Sequence, residues 1–132
     1  MKRRLSTITF FLLSAGLLAA AVGADWMTQV PARDRQRSNP YHDQSQAIQA
    51  GRFLFEEHCA ECHGNDAQGK AKRPSLRTSR IQSEASEGEV HWLLVNGNIR
   101  RGMPSWSKLP DQQLWQIVSY LKSLKTEAST SR

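Results

Sequence analysis

Cys59-Ala60-Glu61-Cys62-His63 is the most informative stretch of this chain. Two cysteines three apart on a helical turn project to the same side. Each is placed to form a thioether with one vinyl group of the same porphyrin, and the histidine after the second then lies beneath the iron as its proximal ligand. The pattern Cys-x-x-Cys-His is the attachment signature of a c-type haem. Cys59 and Cys62 are the only two cysteines in the sequence. The competing chemistries fit less well. A dithiol redox pair expects a βαβ setting, and no such pattern is visible. A zinc site from His58, Cys59, Cys62 and His63 would crowd its ligands into six positions, whereas structural zinc ligands come as two separated pairs. A Cys59–Cys62 disulfide would close too small a loop to stabilise much.

The pentapeptide sits in a chain of 132 residues, enough for one small domain with extensions. A core of that size is modest, and a covalently held macrocycle would supply much of the missing apolar interior. Lys2, Arg3 and Arg4 precede Leu5 to Ala24, an uncharged and mostly apolar run of 20 residues. Small residues at Ala21-Val22-Gly23-Ala24 offer cleavage after Gly23 or Ala24, so residues 1–24 read as an export signal. The same run also suffices to span a bilayer as an uncleaved anchor, although Ser6, Thr7, Thr9 and Ser14 weaken that reading. Residues 25–43 are polar, hold Pro31 and Pro40, and lack apolar periodicity; they read as a linker or mobile arm. Residues 127–132 read as a frayed tail. The folded domain is expected over residues 44–126.

Three helical patterns fill that domain, and no run reads as a strand, so the fold class is all-α. The first spans Ser45 to Cys59, with Ile48, Gly51 and Phe55 on one side. The second opens on the capping box Ser86-Glu87-Gly88-Glu89, turns Val90, Leu93 and Leu94 inward, and stops at Asn96-Gly97. The third starts near Pro110-Asp111 and aligns Leu114, Ile117, Val118, Leu121 and Leu124. Lys122 and Lys125 in its last turn suit the negative end of the helix dipole.

From about residue 45 to 125 the order of these features resembles the class I monohaem cytochromes c. It runs as a helix, the haem motif, a loop with Pro74, a helix, Gly102-Met103-Pro104, and a last helix with Ile117 and Tyr120. The resemblance implies a small fold of three to five helices around one covalently attached haem c, with the first and last helices crossing closely. Gly51 matches the small residue at that crossing, and Phe55 and Tyr120 its flanking aromatics. A glycine inside a helix costs about 1 kcal/mol, which close backbone approach would justify.

The resemblance also implies the ligands. His63 is the proximal ligand and Met103 the sixth, with Gly102 leaving room for the backbone and Pro104 stiffening the segment. The Pro74 carbonyl accepts the free N–H of His63, and Leu76 packs on the haem. Two roles stay open for Trp106, donating its indole N–H to a haem propionate or covering the haem edge. Trp92 and Trp115 are assigned to packing. His42, His58 and His91 compete poorly with Met103: His42 is in the arm, His58 adjoins the attachment turn, and His91 reads as a solvated or partly packed residue. Asn98 has no assigned role.

A six-coordinate iron has no open position for substrate, so the expected activity is one-electron transfer through an exposed haem edge, without enzymatic turnover. The alternatives are a haem ligand sensor or weak peroxidase with a labile sixth ligand, and a subunit of a quinoprotein dehydrogenase or terminal oxidase. Haem c attachment in the family takes place outside the cytoplasm, which agrees with residues 1–24 and implies a periplasmic protein, membrane-bound only if that segment is retained. Its removal lowers the formal charge from +6 to +3. Lys70, Lys72, Arg73, Arg77, Arg80, Arg100 and Arg101 lie between the haem motif and Met103 or beside it. Basic residues there would steer docking to an acidic redox partner. Nucleic acid is excluded as a partner of an exported chain.

Overall fold

In the computed structural model, which describes residues 25–124, every regular element is helical. Residues 1–24, expected as an export signal, and residues 125–132, which include Lys125 and the expected tail, lie outside the described residues. A 3-10 turn at Trp26–Gln29 precedes helix α1 (Ala32–Arg35), α2 (Ser45–His58) and α3 (Ala60–His63). A π-type turn at Arg80–Glu84 leads into α4 (Glu87–Asn96), a second 3-10 turn spans Ile99–Arg101, and α5 (Asp111–Ser123) closes the order. Among the described residues the only β pairings are isolated bridges, Lys70 with Arg73 and Asn98 with Met103.

The helix boundaries follow from local chemistry. Ser86 Oγ accepts from Glu89 N at 3.1 Å and the Glu89 carboxylate accepts from Ser86 N at 2.7 Å, so the capping box at α4 is complete. α4 stops at Gly97, whose φ of 71° lies in the left-handed region.

The most extensive helix pairing joins α2 to α5, at opposite ends of the domain sequence. Gly51 makes it possible: a Cβ there would stand 1.9 Å from the Gln116 carbonyl oxygen, so the two backbones touch. The Phe55 ring is fully buried beside Tyr120, with ring centroids 5.3 Å apart. Leu114, Ile117, Val118 and Leu121 complete the buried stripe of α5, joined by Trp115 and Ser119.

Two expectations change. Residues 25–43, expected as a linker or mobile arm, are packed on α4 and α5. Val30 is buried, and Trp26, Met27 and Tyr41 pack against the core. The backbone of this strap is held by polar groups that apolar periodicity does not reveal. Ser86 Oγ donates to Arg35 O at 2.8 Å, and Arg35 pairs with Glu89 at 3.0 Å. Buried Asn39 donates to Ser119 Oγ at 2.9 Å and to Glu87 Oε1 at 3.1 Å.

His91, expected at the surface or partly packed, is only 2% exposed. Its ring stacks on Trp115 with centroids 4.0 Å apart, its Nε2 lies 2.8 Å from Asp111 Oδ1, and Arg37 stands 3.3 Å from its Nδ1. Lys122 lies in the last turn of α5, as expected. Its ammonium donates to the carbonyls of Ile81, Gln82 and Ala85 at the end of the π-type turn, and burial lowers its pKa.

Candidate functional site

α2 delivers Cys59 at its C-terminal end, and α3 carries Cys62 and His63 one turn on. Cys59 is partly buried and Cys62 exposed, and both are free. Burial, with a smaller contribution from Cys62, pushes the Cys59 thiol up to about 12. An apolar setting of that kind favours an uncharged sulfur, as in a thioether, over a thiolate. The loop after α3 folds back under His63: Gly69 N donates to His63 O at 2.7 Å and Leu76 N to Ala67 O at 2.8 Å. This return places the Pro74 carbonyl 3.0 Å from His63 Nδ1. A carbonyl only accepts, so Nδ1 carries the proton and Nε2 keeps its lone pair for a metal.

Met103 is held by a separate device at the far end of α4. Asn98 and Met103 exchange two backbone hydrogen bonds, of 2.9 and 3.1 Å, around the Ile99–Arg101 turn. The last carbonyls of α4 accept from residues just beyond Met103: Trp106 N donates to Leu94 O at 2.9 Å and Ser105 Oγ to Val95 O at 2.6 Å. Gly97 is also a contact residue, since a Cβ there would stand 2.7 Å from the Met103 carbonyl oxygen. The methionine loop is thereby clamped against α4 at both its ends.

These pieces surround one cavity of about 820 Å³, in the upper part of the range for cofactor pockets, roughly 300–1,000 Å³. Every residue singled out from the sequence for haem binding lines it: Cys59, Cys62, His63, Pro74, Leu76, Met103 and Trp106. Phe55, Ile81, Val90, Leu93, Leu94 and Leu121 supply its apolar wall. Two sulfurs at one edge, an imidazole with a free Nε2, a thioether and an apolar wall are a donor set and shape that fit a haem. His42 and His91 are absent from this lining. His58 is present, its ring 5.4 Å from that of Trp106. Among the described residues no group of three or more His, Cys, Asp and Glu side chains is arranged to hold a metal ion, so the four zinc candidates do not converge.

Several site residues were missed in the sequence. Asp25 and Trp26, from the supposed arm, line the cavity, and Arg80 pairs with Asp25 there. Trp26, Met27 and Val30 carried a readable signal, an apolar cluster spaced for one helical turn. Gln82 ties the Leu76 carbonyl (2.8 Å) to the Leu121 carbonyl (3.0 Å), and nothing local in the sequence announced it.

A family model described as "Cytochrome C oxidase, cbb3-type, subunit III" matches residues 46–121, more than half of the chain. The chain belongs to this family of c-type cytochromes. The match runs from the start of α2 nearly to the end of α5 and leaves out the strap over residues 25–43. Cytochrome c550 of Pseudomonas aeruginosa is 29% identical over 113 residues, covering 80% of this cytochrome and 72% of its relative. The cbb3-type cytochrome c oxidase subunit CcoP of Rhodobacter capsulatus is 37% identical over 87 residues, 57% of this chain. That match spans only 28% of CcoP. The crystal structure of cytochrome cL from Methylophaga aminisulfidivorans superposes with a TM-score of 0.58 at 26% identity, over 67% of this chain and 59% of that one. Family membership brings a covalently attached haem c and a role in electron transport, and the all-α cytochrome c fold is shared with the solved relative.

Proposed function

We propose that this cytochrome is an exported single-haem electron carrier, with thioethers at Cys59 and Cys62 and with His63 and Met103 as axial ligands. The observation that carries the reading is the pairing of His63 Nδ1 with the Pro74 carbonyl at 3.0 Å, in a cavity that Met103 also lines. The bound haem supplies reversible one-electron chemistry between ferric and ferrous iron. The protein's part is to orient both ligands and keep the sixth position filled. Pro74 fixes the tautomer and plane of His63. The Asn98–Met103 bridge and the anchors on α4 hold the methionine, whose soft sulfur would favour the reduced iron and raise the potential. Leu76 and Trp106 line the cavity, where Leu76 would pack on the macrocycle and Trp106, beside His58, would cover it.

The partners are redox proteins, and the chemistry at the cavity rim favours acidic ones. Lys72, Arg73 and Arg101 line the cavity, and Ile99, 67% exposed, stands beside Arg100. Cations at the rim and an exposed apolar residue next to an arginine suit a small, short-lived docking contact. The basic residues Lys2, Arg3 and Arg4 and the apolar run after them support a periplasmic location. No helix among the described residues is long and apolar enough to cross a membrane. The CcoP relative is named as an oxidase subunit, which favours a second reading of this chain as a cytochrome that docks in such a complex.

Replacing Met103 tests the reading. Met103→Ala should remove the weak long-wavelength band of Met–Fe(III) from the oxidised spectrum, lower the potential and let carbon monoxide bind the reduced protein. If the wild-type protein lacks that band and already binds carbon monoxide, the sixth position is open. Sensing or peroxidase chemistry then replaces electron carriage.

A further inference from the structure

Arg73 connects the two halves of the site. Its backbone is fixed in a tight turn, with Arg73 N donating to Lys70 O at 2.7 Å, and the next residue is Pro74, whose carbonyl holds His63. Its guanidinium reaches across the cavity rim to the methionine loop, where Nη1 donates to the backbone carbonyl of Arg101 at 3.2 Å. It also lies against Gly102, the residue before Met103: a Cβ there would be 2.8 Å from Nη1. Arg73, Arg101, Gly102 and Met103 all line the cavity. Among the described residues, the other backbone hydrogen bonds of Gly102 and Met103 stay within their own loop: Gly102 N to Ile99 O (2.9 Å) and the bridge to Asn98.

From this geometry we infer that Arg73 is a positioning residue for Met103, a tie between the proximal and distal ligand loops that sets how readily the sulfur leaves the iron. The inference rests on the proposed ligation by Met103. Charge recruitment at the rim would not require this contact, because the acceptor is a main-chain carbonyl and its owner is itself an arginine. A hydrogen bond from a charged donor across the rim disfavours the open loop, in which that carbonyl swings away from the guanidinium. Arg73→Ala should therefore raise the population of the loop state from which Met103 has dissociated. Exogenous ligands capture that state, and their apparent affinity scales with it.

The test compares imidazole binding to the oxidised holoprotein in wild type, Arg73→Ala, Arg73→Lys and Arg101→Ala. Arg73→Ala and Arg101→Ala each remove one positive charge from the rim, but only the first removes the tie. We expect imidazole to bind Arg73→Ala about tenfold more tightly than wild type. Arg101→Ala should match wild type within about twofold, and Arg73→Lys, which keeps the charge and one donor, should fall between. Amide exchange at Gly102 and Met103 should quicken in Arg73→Ala alone, a change that a purely electrostatic role would not produce. Equal effects of Arg73→Ala and Arg101→Ala, or none from either, would overturn the inference. Failure of the ligand assignment looks different: Met103→Ala would then leave imidazole binding and the oxidised spectrum unchanged.

Discussion

His91 shows how a single buried side chain links stability to pH. Burial and the Arg37 guanidinium hold its pKa below the ordinary imidazole value, against the upward pull of Asp111 and Asp34. The neutral ring therefore donates from Nε2 to Asp111 and accepts at Nδ1 from Arg37, which suits the contact distances of 2.8 and 3.3 Å. The pair with Asp111 is a hydrogen bond to a carboxylate, with no charge on the imidazole. An unfolded histidine takes up a proton as pH falls through about 6.5, while the native ring stays neutral. The unfolded state then binds more protons, so stability falls as pH drops from there toward the lowered native value. His42 works in the opposite sense, since its hydrogen bond to Glu87 raises its pKa, and only a comparison of variants isolates His91. Urea unfolding at about pH 7.5 and about pH 5 should show a smaller loss of stability in His91→Gln than in wild type. Identical losses would mean that the native fold does not lower the pKa of this ring. Burial of His91 was not legible in the sequence, because its partners Arg37, Asp111 and Trp115 come from two other segments.

The crossing of α2 and α5 rests on one missing methyl group. Alanine at position 51 would gain up to about 1 kcal/mol of helix propensity. It would also drive a Cβ into the Gln116 carbonyl, 1.9 Å away, and close to Tyr120 Cβ at 2.9 Å. Both neighbours belong to a helix backbone or its first side-chain atom, so neither can swing aside. Gly51→Ala should lose about 1–3 kcal/mol, seen as a melting temperature lower by several degrees. An unchanged or higher melting temperature would show that the helices separate without cost. At this scale the sequence was most informative. Long helices with strong periodicity, a capping box and a terminal glycine fixed α2, α4 and α5 to within a residue or so at their ends. The strap over residues 25–43 escaped because hydrogen bonds from Asn39, Arg35 and Ser86 hold it, and such partners lie far away in sequence. Of its core-facing apolar residues, Trp26, Met27 and Val30 form one readable local cluster, while Tyr41 stands alone in a polar stretch.

The whole molecule gathers its haem-motif residues, both proposed ligands and a basic rim around one cavity. All seven site residues read from the sequence meet there, because the pentapeptide and Gly102-Met103-Pro104 are local signals that need no tertiary information. What holds those loops, chiefly Asn98, Ser105, Gln82 and Arg73, acts through main-chain carbonyls and leaves no mark in residue type. Docking belongs to this scale as well. If Lys72, Arg100 and Arg101 steer an acidic partner, the second-order rate of electron transfer should fall as salt rises, since screening at physiological ionic strength acts over about 8 Å. Charge reversal at Arg100 and Arg101 should slow it further while the haem spectrum stays intact, and the change should lie in association rather than dissociation. A rate indifferent to both would assign docking to apolar contact around Ile99 and Trp106.

Covalent attachment of the haem underlies every function proposed for this chain, and it can be measured directly. The full chain, expressed with a haem c attachment system, should be denatured and washed with acidic acetone, and the absorption of the protein fraction recorded. With thioethers at Cys59 and Cys62 the haem stays with the polypeptide, and replacing both cysteines sends it into the solvent. A denatured wild-type protein without haem absorption would contradict the account at its centre.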